Sequence, residues 1–275
     1  MPDLSPVTKT ALGAAIMRVA HLLQDGEPKI FSDTLAQRLL GFPDHQILRT
    51  RSFLPMSTST WILRARYAED RLAEAVGHGI TQYLILGAGL DTFAYRAQGP
   101  VTVLRVFEVD TPELQAWKRE RLETCRIAVP STCTFVPCDF HAQPLAEAMA
   151  GSPFDAAEAT FVSWLGVIGY LDRDAIVETL RWIAALGPRT ELVLTYSSPE
   201  ACSSPAVQIG ERISGVRSRS WFSTEEMEHL LHECGFGAIH ALTVGEARAQ
   251  DFVGRSDGLD VDTLERLIWA RVTRS

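Results

Sequence analysis

The sequence predicts a doubly wound α/β fold, with a mostly parallel, seven-stranded sheet and an added N-terminal helical cap. Three observations predict it. From residue 80 onward, short apolar runs alternate with segments of helical period, as in successive parallel βαβ units. The first run, YLILGAG, ends in glycines spaced one apart, Gly87 and Gly89. Near the C-terminus two more apolar segments, 236–244 and 267–272, fit an antiparallel edge.

Each element has its own local justification. Over residues 8–24, Leu12, Ala15, Ile16, Val19, Leu22 and Leu23 recur at helical spacing, and Asp33 to Leu40 reads as a short helix ended by Gly41. Trp61, Ala65, Ala68, Leu72 and Val76 mark a further helix stopping at Gly77. Strands are expected over 80–86, 101–109, 133–137, 160–167 and 191–196. Between them, Leu114, Trp117 and Arg121 line one helix, and Ile176, Leu180 and Ile183 another that Asp172 or Asp174 could cap. Ser223 and Glu226 carry a capping-box signature ahead of Met227, Leu230 and Leu231, and Gly235 ends that helix. No repeat or long linker divides the chain, so residues 1–78 are expected as a helical cap and lid within the same domain as a core over 79–275.

Composition narrows the function. A chain of 275 residues with 46% hydrophobic content can bury a sizeable core. Its net charge of -8, with basic and acidic residues interspersed, offers no footprint for a nucleic-acid backbone, so a small-molecule partner is expected. Cys125, Cys133, Cys138, Cys202 and Cys234 form no CxxC pair, which suits free thiols in a reducing compartment and gives no metal set. Arg18 and His21 interrupt the apolar N-terminal stretch, and no run reaches the roughly 20 residues of a membrane span. The expectation is a cytoplasmic protein, and the sequence specifies no oligomeric state.

In an open α/β sheet, ligands bind beyond the carboxyl ends of the strands, where Gly87 and Gly89 fall. Asp110, 23 residues after Gly87, is placed to accept from ribose hydroxyls, and together these suggest an adenosine-type cofactor. A pyrophosphate turn needs a third glycine, but here Thr92 holds that position and Asp91 adds negative charge. S-adenosylmethionine carries no phosphate and is cationic at sulfur and amine, so the turn favours it over NAD. Asp139 and Phe140, in FVPCDF, suit the amine and face of an adenine. A tight structural turn, an Asp cap and a core Phe are the plainer readings of the same residues.

Taken together and in order, LGAGLDTFAYR, FEVDTPELQAWKRERL, FVPCDF and the upstream RARYAED resemble the leucine carboxyl methyltransferase family, including bacterial relatives that methylate polyketide and other small-molecule substrates. The likeness runs from about Thr10, through TALGAAIMRVAHL and IFSDTLAQRLLG, to FVGRSDGL. It implies a Rossmann-like class I methyltransferase fold, S-adenosylmethionine as donor, S-adenosylhomocysteine as product and a carboxylate or hydroxyl acceptor. The family's carboxylate-binding arginine maps onto Arg66, with Arg64 the alternative; Gly87 and Gly89 carry over as the methionine-side turn, Asp110 as ribose ligand, and Asp139 and Phe140 as adenine contacts. One departure stands out: where the family shows an acid after the fourth strand, as in AEGVLMYL, this chain reads SWLGVIGYL, with Leu165 at that place. Ser163, the Gly87 carbonyl or the Trp164 backbone would then stand in for it near the cofactor amine.

Methyl transfer rests largely on proximity and alignment, and an ionised carboxylate acceptor requires no base. Tyr170 and Arg18 are the catalytic candidates, the first facing the acceptor and the second holding an acidic substrate; a core tyrosine and an arginine paired with a neighbouring acid are the alternatives. His141 also falls near the expected cleft, and residues 42–60, with Phe42, Phe53 and Met56, could form a lid. A nicotinamide-dependent oxidoreductase and a cofactor-binding protein without transfer chemistry, the latter prompted by Leu165, are the competing functions.

Overall fold

Strands Gln82–Leu86 (β1), Arg105–Asp110 (β2), Cys133–Pro137 (β3), Thr160–Trp164 (β4), Glu191–Ser197 (β5), Ala238–Ala241 (β6) and Glu265–Arg271 (β7) form one sheet in the order β3-β2-β1-β4-β5-β7-β6. The computed structural model describes residues 4–54 and 56–273. β1 to β5 pair in parallel, and β7 inserts antiparallel between β5 and β6, which supplies the expected edge. Every residue of β1 and β4 is buried, because helices cover both faces and the central strands can be apolar throughout. Strand order reverses between β1 and β4, so the loops leaving these two strands diverge and open a crevice at their carboxyl ends.

Four helices precede the sheet: Pro6–Gln24 (α1), Thr34–Leu40 (α2), Asp44–Ser52 (α3) and Ser59–Gly77 (α4). The others are Phe93–Arg96 (α5), Pro112–Thr124 (α6), Leu145–Ala150 (α7), Arg173–Ala184 (α8), Pro205–Ser214 (α9), Thr224–Cys234 (α10) and Val244–Ala247 (α11). Side-chain caps fix several starts: Ser5 accepts from the Thr8 N–H, Asp33 from Ala36, Thr111 from Leu114, and Ser223 closes the expected capping box with Glu226. α2 stops at Gly41, whose φ of 66° is the left-handed conformation a C-terminal glycine adopts without strain.

The period-2 alternation of the strands divides the core. Leu84, Leu86, Phe107, Val162 and Trp164 face α8 and α10 side chains such as Ile176, Leu180 and Leu231, whereas Tyr83, Ile85, Val106 and Phe161 face Ile62 and Leu72 of α4. A third cluster joins the cap to the sheet layer through Leu12, Ile16, Leu39, Ile47 and Leu122.

Three expected boundaries move. Residues 99–103 form a 3-10 turn, with Gly99 at φ 65° and Val103 74% exposed, so β2 begins only at Arg105; the Val-Thr-Val alternation there mimics a strand without burying one face. β4 ends at Trp164 rather than residue 167, because Gly166 turns the chain at φ 70°. Within 42–60 lies α3, held by the fully buried Ile47, so the segment is not an irregular connection; Pro55 of that segment lies outside the described residues.

Beneath the β2–α6 contact, Lys118 Nζ and Glu108 Oε2 form an ion pair of 2.6 Å with both side chains 1% exposed, and Oε1 of Glu108 has no hydrogen-bond partner among the described residues. Burial pushes the Glu108 carboxyl up while Lys118 pulls it down. Removing the ammonium alone strands this carboxylate. Lys118→Met should lower stability by about 3–5 kcal/mol in urea denaturation, and Glu108→Met combined with it should recover most of that loss.

Candidate active site

The crevice is a cavity of about 1000 Å³ bounded by the turn after β1, the ends of β2 to β5, α1, α9 and the residues just before α4. The turn itself is tightly specified. Gly87 and Gly89 adopt φ of 69° and 46°, as expected, and a Cβ on Gly87 would overlap Val167, which follows β4. The close approach that demands glycine at 87 is therefore to a protein side chain. The Gly87 and Ala88 N–H groups donate to the Val109 carbonyl, Gly89 donates to Asp110 Oδ2 at 2.7 Å, Asp91 to the Ala88 carbonyl, and Phe93 to Asp91 Oδ1. With these amides engaged and two carboxylates beside them, the turn offers a diphosphate no nest of free donors.

Asp110 stands at the end of β2, 7% exposed, and its oxygens accept from Gly89 and from Thr111 at 2.7 Å each. Burial pushes its carboxyl up, against these two N–H donors. Since a carboxylate accepts about four hydrogen bonds, it retains capacity toward the cavity it lines. Asp139, with Oδ1 accepting from the His141 N–H at 3.0 Å, and Phe140, packed against Trp164 at 6.3 Å between ring centroids, line the same side.

A buried polar hub holds the turn to the cap. Asp33, 1% exposed, accepts from Arg18 Nε at 3.0 Å, from the Thr92 hydroxyl at 2.6 Å and from the Ala36 N–H at 3.0 Å. Arg18 also donates to the Leu90 carbonyl at 2.8 Å. Arg96 donates to Thr92 Oγ1 and to both oxygens of Glu69 on α4, and its guanidinium lies 5.0 Å over the Phe31 ring. Burial alone would raise the Asp33 carboxyl, yet Arg18 and Arg96 hold it below the usual range.

Several expectations are corrected by these positions. Arg66 does not line the cavity: it is half-exposed on the outer side of α4, in a bidentate pair with Asp70 one turn on. Arg64, two residues earlier and roughly 200° round the helix, is the arginine that faces inward. Arg18 lines the cavity, but its guanidinium is committed to Asp33 and Leu90, which makes it a support of the turn instead of a group offered to substrate. Trp164, whose backbone was expected near the cofactor amine, is not among the residues lining the cavity, and its indole is fully buried in the core on the other face of β4. Ser163 lines the cavity, with its hydroxyl bonded to the Tyr83 hydroxyl at 2.9 Å. Tyr170 lines it too, its hydroxyl without a protein partner among the described residues and its phenol pushed up by burial, hence protonated. His141 is also at the wall, while Phe53 is 66% exposed.

One part of the site was missed. Arg64 Nη1 donates to both oxygens of Glu265 on β7 at 3.0 Å; the Thr195 hydroxyl donates to Glu265 at 2.8 Å, and the Gly166 N–H to Thr195 Oγ1 at 2.7 Å. A Cβ on Gly166 would meet the Arg64 guanidinium at 2.5 Å, so the glycine beside Leu165 makes the berth for that arginine. Glu265 comes from a strand a hundred residues away in sequence, with no local motif to announce it.

Comparison with known proteins now bears on this geometry. The family model described as leucine carboxyl methyltransferase matches residues 11–184, more than half of the chain. The chain belongs to the leucine carboxyl methyltransferase family. Among curated relatives, the Bacillus subtilis protein YktD, whose activity is assigned as S-adenosyl-L-methionine-dependent methyl transfer but not demonstrated, is 30% identical over 243 residues, covering 85% of this chain and 78% of its own. Among solved structures, a Thermobifida fusca protein provisionally classed as a methyltransferase superposes with a TM-score of 0.59 at 17% identity, over 95% of this chain and 94% of the other. A DUF574 family protein from Streptomyces avermitilis gives 0.62 at 15% identity, over 94% and 97%. At these identities the structures establish the class I methyltransferase fold alone.

Two negative findings bound the site further. Among the described residues no His, Cys, Asp and Glu group could hold a metal ion, and no helix is long and apolar enough to cross a membrane. All five cysteines are free, and burial raises Cys133 to about 12 and Cys138 to about 11, which leaves neither as a ready thiolate.

In this member of the family the hub carries an acid-sensitive share of stability. Because the folded-state carboxyl of Asp33 is depressed, its contribution is complete above the unfolded value near 3.9 and is lost as pH falls through the lower folded value. Thermal melts from pH 7 down to pH 3 should show Asp33→Asn starting from a lower Tm and declining less steeply below about pH 4 than the wild type.

Proposed function

We propose that the protein is an S-adenosylmethionine-dependent O-methyltransferase acting on a carboxylate or hydroxyl of a small metabolite. Family membership supports the methyltransferase class. The observation that carries the choice of donor is the turn after β1, whose amides are engaged within the protein and whose neighbours, Asp91 and Asp110, are carboxylates. Such a turn suits a cationic, phosphate-free nucleoside and disfavours a dinucleotide, which removes the main support for an oxidoreductase.

When bound, the donor supplies an electrophilic methyl group on its sulfonium. Asp110 would hold its ribose hydroxyls, Asp139 the adenine amine and Phe140 the adenine face, and the turn at Gly87 and Gly89 its methionine portion, with Ser163 behind. Arg64 is the arginine for its carboxylate. Nε and Nη2 of that side chain have no hydrogen-bond partner among the described residues, and Glu265 fixes its orientation through Nη1. Tyr170, a neutral phenol at the cavity wall, would donate to the acceptor oxygen and orient it. An acceptor ionised at neutral pH requires no base and is the simplest to methylate, and alignment supplies most of the acceleration.

Leucine at position 165, packed among apolar neighbours at the cavity wall, sustains the second reading, a donor-binding protein without transfer chemistry. Single-turnover reactions with labelled donor and a panel of carboxylic acids and phenols separate the two: labelled product establishes transfer, and none across the panel leaves the binding protein.

Calorimetry with S-adenosylhomocysteine tests the donor site. Arg64→Ala and Asp110→Ala should each weaken binding tenfold or more, about 1.4 kcal/mol at least, whereas Arg66→Ala should bind as the wild type does. Equal affinity in all three variants would remove the assignment.

A further inference from the structure

The half of the cavity away from Asp110 and Asp139 has a chemistry of its own. α9 has no buried residue along its ten, unlike the other long helices, yet Val207 and Ile213 are turned to the cavity, with Ile213 49% exposed. Opposite them stand Met56 and Trp61, and Met56 Cε comes within 3.4 Å of where a Cβ on Gly210 would sit. A helix normally pays for its ordering by burying an apolar stripe. Here the stripe is complete only when something apolar lies beneath it.

Charge at the same end is not balanced in the way it is elsewhere in the cavity. Arg18, Arg64, Arg96 and Arg219 are each paired, with Asp33, Glu265, Glu69 and Asp172. Lys9 on α1 and Arg217 on the strap after α9 also line the cavity, and neither forms an ion pair among the described residues. The carboxylate that α9 itself brings, Glu211, is turned to the Ser218 N–H at 2.8 Å. Lys9 and Arg217 are thus cations of the cavity wall without an ion pair among the described residues, which leaves both available to an anionic group on a ligand.

We propose that the acceptor is an apolar molecule bearing an anionic group, seated between α9 and the 54–61 segment with its charge toward Lys9 and Arg217. This rests on the methyltransferase reading and names the substrate class of that site. Its apolar body would complete the α9 stripe against Val207, Ile213, Met56 and Trp61. A neutral acceptor of the same shape would leave both cations unpaired, and a hydrophilic one would leave α9 unpacked.

Two fluorescent probes of one shape test it: anilinonaphthalene sulfonate, an apolar anion, and N-phenylnaphthylamine, its uncharged analogue, each titrated into the full-length chain with and without saturating S-adenosylhomocysteine. The sulfonate should bind at one saturable site about tenfold more tightly than the neutral probe. Lys9→Glu with Arg217→Glu should abolish that preference while sparing the neutral probe, and Ile213→Asp should weaken both. S-adenosylhomocysteine affinity, measured by calorimetry, should stay unchanged in these variants. Equal affinity for the two probes, or an undiminished preference after charge reversal, overturns the proposal, as does indifference to Ile213→Asp. Absence of S-adenosylhomocysteine binding in the wild type, with the probe preference intact, would overturn the donor reading and with it the role of acceptor, leaving a site for an apolar anion.

Discussion

The buried carboxylate of Asp33 is the interaction on which the site depends. A lone carboxylate at 1% exposure would be costly to ionise, and here it is compensated from three directions by an arginine of α1, a hydroxyl of the β1 turn and an amide in the first turn of α2. Each partner belongs to a different element. The hub thus fixes the cap relative to the turn, and through Arg96 and Glu69 it fixes the turn relative to α4, the helix that carries Arg64. Together with the apolar cluster of Leu12, Ile16 and Leu122, it gives the cavity walls from the N-terminal helices and from the sheet a common reference. Removing one member leaves the remaining buried charges underpaired, so the network acts as a unit.

Much of the sheet was legible because periodicity and punctuation agreed. The run before Gly87 and the capping box at Ser223 each carried two concordant signals, one of pattern and one of turn chemistry. Where only one signal was present the reading slipped. The Val-Thr-Val of 101–103 alternates like a strand but follows Gly99-Pro100, and backbone conformation decided the outcome.

The cavity lining was legible at strand ends and turns, at Gly87, Gly89, Asp110 and Asp139, and less so where helix phase decides. Trp61, Ala65, Ala68 and Leu72 define the inward stripe of α4, and at about 100° per residue Arg64 falls on that stripe while Arg66 falls opposite. The signal was present in the spacing, although the RARY motif alone does not distinguish its two arginines. Glu265 is a different case. Its place is set by the antiparallel insertion of β7 beside β5, a long-range pairing that no local pattern encodes.

The contact between Gly87 and Val167 joins these two accounts. Gly87 begins the turn assigned to the donor, while Val167 lies three residues before Tyr170, on the side assigned to the acceptor. The two loops interlock at one point, glycine on one side and a β-branched methyl on the other, with no room for a Cβ between them. Substitution on either loop is therefore felt by the other: any remodelling of the SWLGVIGYL stretch has to leave at 167 a side chain that still fits Gly87. That steric contact ties the two loops together, so a larger side chain at 167 would press directly on the backbone of the β1 turn.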